Sequence, residues 1–256
     1  MSKTMQAGIV AGASAILLVG VLVASHLMKA APLDAKGCGQ NVAGKTVIVL
    51  DTSDGVTAQT HQEIIDRVKN RIDGSVQDGD LVSVFTISAL SKKNLVPVFA
   101  YCKPRRVGNE LKENTRMLER TYVTKFQKPL EAAIRLPIQG SEESPIAQSL
   151  VDLSLSDYVR SNGNTKLIVF SDMMEYTDRF SLYNCDSGSL AIKSFRDSRG
   201  AAVARPTFHN VDIEINIIPR TGTTAAAGRC RDTFWAWFFG DDDGPSARFT
   251  PSNLPG

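Results

Sequence analysis

Val47-Ile48-Val49-Leu50-Asp51-Thr52-Ser53-Asp54-Gly55 is the stretch that decides how this chain folds. Four aliphatics without a polar interruption predict a strand buried on both faces, and therefore an interior strand of a mostly parallel α/β sheet. The residues after Leu50 then stand at the carboxyl edge of the sheet, where open α/β sheets hold ligands. Asp51 and Ser53, alternating at that edge, are hard oxygen donors of the kind that suit Mg²⁺.

A second apolar run, Leu167-Ile168-Val169-Phe170, ends in Ser171-Asp172 and delivers another carboxylate to the same edge. Between the two lies Ser144-Pro145-Ile146, a hydroxyl ahead of a proline that opens a helix expected from Ile146 to about Tyr158. With these three segments the chain resembles the von Willebrand factor type A (VWA) family. That family's metal-ion-dependent adhesion site uses an Asp-x-Ser-x-Ser loop after the first strand, a Thr in a later loop and an Asp after the fourth strand.

The resemblance implies a Rossmann-like fold of about six strands, mostly parallel with one antiparallel edge strand, and helices on both faces. Matched by position, it puts Asp51 and Ser53 in the first metal-binding loop, Ser144 in the second and Asp172 in the third. The implied cofactor is Mg²⁺, or Mn²⁺ or Ca²⁺ in its place. The implied partner is another protein whose Asp or Glu completes the coordination. Two positions depart from the family pattern: Gly55 stands where the second serine belongs, and Ser144 replaces the threonine. Serine and threonine offer the same donor and acceptor, but glycine removes an oxygen ligand, so affinity below that of a complete site, or a vacant site, is expected.

Catalysis is not expected. Asp51 to Thr57 also looks like the nucleophile loop of haloacid-dehalogenase phosphatases, yet that chemistry needs a second Asp two residues on, and position 53 is serine. Starting from Asp54 instead puts Val56 at the acid position. His26, His61 and His209 are scattered, and no HExxH, Gly-x-Ser-x-Gly, phosphate-binding Gly-rich loop with Lys, or CxxC occurs. Asp172 with Glu175 could be read as a catalytic carboxylate pair, or as one loop lying over a helix start. The plainest reading of Asp51 and Asp172 is that they cap the helices that come after them. Beside the metal-dependent binding module, a metal-independent scaffold of a membrane-associated complex is the alternative, with a phosphatase behind both.

The 256 residues suit one α/β domain plus an appendage, and a net charge of +2 gives no bulk attraction to nucleic acid. The appendage is amino-terminal. Ala7 to Leu27 carries no Asp, Glu, Lys or Arg and is long enough to cross a ~30 Å hydrocarbon core. Residues 1–30 are expected to form an uncleaved single-pass signal anchor rather than a cleaved signal peptide, because the apolar run is long and Ala30-Ala31 makes a poor cleavage site. Lys3 on one side and Lys29 and Lys36 on the other leave its orientation open. Cys38, Cys102, Cys185 and Cys230 lack metal-ligand spacing and fit disulfides in an oxidising compartment, with all three connectivities open. The globular part is therefore expected on the periplasmic or extracellular side.

Residues 31–44 read as a tether, 45–250 as the VWA-like domain and 251–256 as a tail. Thr60 to Glu63 has capping-box spacing ahead of the stripe Ile64, Ile65, Val68 and Ile72. Strands are expected at Leu81–Ile87, at Leu95–Tyr101 as an edge containing Pro97, and at Val211–Ile218. Glu110 to Ile134 reads as two helices or one kinked at Pro129, and the aromatic cluster Phe234 to Phe239 as a helix packed on the sheet. Lys103 to Arg106 and Asp241 to Gly244 read as solvated turns, and Ala247 to Thr250 as a last short strand.

Overall fold

The computed structural model describes residues 32–254, apart from 54, 91–95, 110–112, 136–140, 142, 161–163, 201, 203–204, 207, 209–210 and 241–248. The expected anchor, Asp54, His26, His209 and the Asp241 to Gly244 turn lie outside the described residues, as do the first residues of the edge strand expected from Leu95 and of the last strand expected from Ala247. Among the described residues no helix is long and apolar enough to cross a membrane.

Among the described residues six strands form one sheet: β1 (Gly44–Leu50), β2 (Leu81–Thr86), β3 (Phe99–Cys102), β4 (Asn164–Ser171), β5 (Val211–Ile217) and β6 (Phe249–Asn253). Their order is β3-β2-β1-β4-β5-β6. Only β3 runs antiparallel, at one edge. This is the architecture the resemblance implied. The order reverses between β1 and β4, so the crevice at their carboxyl ends is the topological switch point.

The unbroken apolar runs are explained by burial on two sides. Val47 and Val49 of β1, with Leu167 and Val169 of β4, pack against one helical layer, while Ile48, Leu50, Ile168 and Phe170 pack against the other. The first layer contains α4 (Ile146–Ser154), α5 (Gly188–Arg199) and α6 (Ala225–Phe239). The second contains α1 (Ala58–Ser75) and the α2 to α3 region (Thr115–Thr121, Lys128–Ile134). Phe234, Trp235, Phe238 and Phe239 of α6 are buried, as expected for a helix lying on the sheet.

Local boundaries depart from expectation for identifiable reasons. Helix α1 starts at Ala58 because Thr57, not Thr60, is its cap: the Thr57 hydroxyl accepts the Thr60 N–H at 3.1 Å. Glu63 instead pairs with Arg67. Helix α4 stops at Ser154 rather than near Tyr158, where the Ser154 and Ser156 hydroxyls donate to the carbonyls of Val151 and Leu153. A separate turn covers Asp157–Arg160. Strand β2 ends at Thr86, and β3 begins at Phe99, past Pro97.

Pro129 does not split its helix. It lacks the N–H that would bond the Lys125 carbonyl, and the chain widens into a π-turn over Tyr122–Gln127 just ahead of it, with the Lys128 N–H reaching back to Val123.

The expected tether is partly docked. Asp34 Oδ1 accepts the N–H groups of Lys36 and Cys38, the Lys36 carbonyl accepts the Cys102 N–H, and Cys38 is disulfide-bonded to Cys102 on β3. The second disulfide, Cys185–Cys230, joins the segment before α5 to α6. Gly188 lies at this clamp, and a Cβ there would fall inside 3.0 Å of three Thr233 side-chain atoms. Gly188→Ala is therefore expected to lower the urea unfolding midpoint of the oxidised protein, by a stability loss of about 1–3 kcal/mol.

Candidate functional site at the β1/β4 edge

Asp51 continues the sheet one residue past β1: its N–H donates to the Phe170 carbonyl at 2.8 Å. The carboxylate is thereby fixed at the switch point and is 9% exposed. Oδ1 accepts the Ser53 N–H at 3.0 Å and the Ser53 hydroxyl at 2.6 Å. Oδ2 accepts the Ser171 hydroxyl at 2.7 Å and the Ser144 hydroxyl at 3.4 Å. A buried carboxylate is tolerated when its lone pairs are satisfied in this way.

The three predicted loops meet here. Ser53 comes from the turn after β1, and its carbonyl accepts the Ser141 N–H at 3.0 Å. Ser144 is held by a two-way backbone bridge to Tyr176, at 2.7 and 3.2 Å. Ser171 closes β4, and its hydroxyl oxygen also accepts the Met173 N–H at 2.9 Å. Of the predicted set, Asp51, Ser53 and Ser144 are joined directly.

Asp172 sits beside them but is committed elsewhere. Its Oδ1 accepts the Met174 N–H at 2.9 Å, and its Oδ2 accepts Arg220 Nε at 2.8 Å and the Tyr183 hydroxyl at 3.5 Å. Arg220 Nη1 also donates to the Gly55 carbonyl at 3.2 Å. Burial raises the Asp172 carboxyl above its ordinary range and the Asp51 charge adds to the rise, outweighing the pull of the Met174 N–H and Arg220.

Met173, the next residue along the chain, adopts φ 59°, a strained left-handed conformation for this side chain. The Trp235 indole N–H holds its carbonyl at 2.7 Å. Glu175 is 2% exposed and accepts the Ala147 N–H at 2.7 Å in the first turn of α4. It is thus a helix-capping group, one of the two readings open from sequence. Burial pushes its carboxyl up to about 8 against the opposing pull of the Ala147 and Ile146 N–H groups.

Arg220 and Ser171 are functional neighbours that sequence reasoning missed. Arg220 comes three residues after β5, and β5 neighbours β4, so a basic residue just past β5 was the available signal.

With their protons donated to Asp51, the Ser53 and Ser144 hydroxyl oxygens keep lone pairs that could face a cation. The rest of the set does not fit a divalent ion. Asp172, the third-loop carboxylate, is ion-paired with a guanidinium, and Gly55 contributes a carbonyl to that same guanidinium in place of a hydroxyl. Among the described residues no group of three or more His, Cys, Asp or Glu side chains is placed to hold a metal.

No family model matches this chain, and no curated protein matches it. Among solved structures it is similar to the pilus adhesin SpaC of Lactobacillus rhamnosus GG in its open conformation, at 9% identity and a TM-score of 0.44 over 85% of this chain. The chain spans 29% of that adhesin's length. It is also similar to the conserved hypothetical protein BatB of Bacteroides thetaiotaomicron, at 11% identity and a TM-score of 0.35, covering 83% of this chain and 91% of that one. A third similarity is to an aerotolerance-related membrane protein of Bacteroides fragilis NCTC 9343, at 14% identity and a TM-score of 0.31, covering 80% of each. These likenesses are distant.

Glu175 gives a pH prediction. Below 4.5 its carboxyl is protonated folded and unfolded alike; above that the unfolded chain releases the proton while the folded chain keeps it, so the group's contribution to stability is lost as pH rises through about 8. Glu175→Gln stays neutral and keeps an acceptor for Ala147. Urea titrations across that window are expected to show stability falling less with pH in the variant than in the parent.

Proposed function

We propose that this chain is a membrane-held protein-interaction module that binds its partner at the carboxyl edge of β1 and β4. The observation that carries the reading is a pair of tyrosines at the rim of the buried polar cluster. Tyr176 and Tyr183 are 46% and 43% exposed, their rings meet edge to face at 6.0 Å, and the Tyr183 hydroxyl reaches Asp172. Half-exposed aromatic rings on a rigid polar base are what interface hot spots are made of.

Two further features support it. Asp51, the nucleophile of the phosphatase alternative, has both oxygens engaged by Ser53, Ser144 and Ser171, which suits a structural carboxylate and opposes nucleophilic attack. The amino-terminal segment joins the domain at the opposite end of β1, a seven-residue strand. At ~3.3 Å per residue, an anchor at Ala7 to Leu27 would leave the site roughly 20 Å further from the bilayer than the point of attachment. The two disulfides fit an exported location. The competing reading keeps Mg²⁺ at Asp51, Ser53, Ser144 and Asp172 and a partner Asp or Glu upon it, and it requires Asp172 to part from Arg220.

The test is co-purification of the full chain from membranes, identification of the partner by cross-linking, and titration of the complex. Tyr176→Ala and Tyr183→Ala are each expected to weaken binding about tenfold or more, while Leu155→Ala, past the far end of α4, leaves it unchanged. Equal affinity for all three variants contradicts the site. Loss of binding in a chelator favours the metal-dependent reading.

A further inference from the structure

We infer that Arg220 is the resident cation of this site, its guanidinium standing where a divalent ion would otherwise be needed to hold the loops together. The inference concerns what balances the charge of the site and does not depend on which partner binds there.

Topology brings Arg220 in. The Ile218 N–H donates to the Ser171 carbonyl at 2.9 Å, which lays the chain leaving β5 alongside the end of β4. Two residues later Arg220 reaches Asp172 Oδ2 on the β4 loop and the Gly55 carbonyl on the β1 loop. A metal at a three-loop site performs that same bridging, joining oxygens from separate loops through one positive centre. The guanidinium is planar and offers several N–H donors, so one side chain serves acceptors on two loops.

Charge explains why a resident cation is required. Asp51 and Asp172 are both buried, and the charge of Asp51 acts on Asp172. Two carboxylates at one edge need a counter-charge. Arg220 supplies it from a side chain only 19% exposed, paired to a carboxylate 5% exposed. At such depth an incoming divalent cation meets a fixed like charge that water screens poorly, and it must break a buried ion pair to reach Asp172. Gly55 completes the arrangement. A side chain is unnecessary there, because the Gly55 backbone oxygen is the group Arg220 uses.

The experiment is Mn²⁺ binding to the detergent-solubilised full chain, monitored by electron paramagnetic resonance, with intact disulfides and circular dichroism as the check on folding. The parent is expected to bind Mn²⁺ no better than about 1 mM, the weak limit of oxygen-ligated sites. Arg220→Gln removes the charge and is expected to bind at least tenfold more tightly, and Asp172→Asn in that background abolishes the gain. Arg220→Lys keeps the charge and is expected to behave as the parent does. Uptake of Mn²⁺ well below millimolar by the parent overturns the inference on its own, whatever the variants do. A folded Arg220→Gln chain that gains no affinity overturns it as well, as does an Arg220→Lys chain that gains as much as Arg220→Gln.

Discussion

The carboxylate of Asp51 is the interaction on which the rest of the site depends. It sits where β1 meets β4 and gathers donors from three segments far apart in sequence: Ser53 two residues on, Ser144 in the loop before α4 and Ser171 at the end of β4. Hydrogen bonds to an ionised group are the stronger kind, at about 1.5–3 kcal/mol each. Removing the carboxylate would leave three hydroxyls and an amide without their acceptor in a buried place. The sheet supplies the position and Asp51 supplies the closure.

Around that centre the backbone has little freedom. Met173 is held at positive φ by the Ser171 hydroxyl on one side and the Trp235 indole on the other, so the aromatic helix α6 reaches through the core to the site. Glu175 caps α4, whose first turn begins directly after Ser144 and Pro145. Arg220 and Asp172 then tie the loops after β1, β4 and β5 to one another. The three acidic side chains at the edge thus differ in what they hold. Asp51 organises hydroxyls, Asp172 pairs with a cation, and Glu175 caps a helix. The oxygens of Asp51 and Asp172 are all engaged by donors from the surrounding loops.

The architecture was legible in sequence because burial on both sides of a parallel sheet leaves a plain signature. Ile48 and Leu50 face one helical layer and Val47 and Val49 the other, so no polar residue can interrupt the run. The order of the apolar runs and the oxygen-bearing residues after them placed Asp51, Ser53, Ser144 and Asp172 near one edge. The pairings across distance remained hidden. Arg220 lies 48 residues from Asp172 and leaves no local pattern, since a lone arginine after a strand is ordinary. Choosing between three disulfide connectivities likewise needed the fold. Local competition obscured some boundaries: Thr57 outcompeted Thr60 as the cap of α1, and the missing N–H of Pro129 was absorbed by a π-turn rather than a break.

The most direct test of this account is a double-mutant cycle between Asp51→Asn and Ser171→Ala, measured by urea unfolding of the oxidised protein. Asn keeps the shape of Asp51 and removes its charge, while Ala removes the donor that reaches it from β4. If the carboxylate is the tie between the two strands, the pair is expected to show a coupling energy of about 1 kcal/mol or more. Additive losses, with coupling near zero, would contradict it.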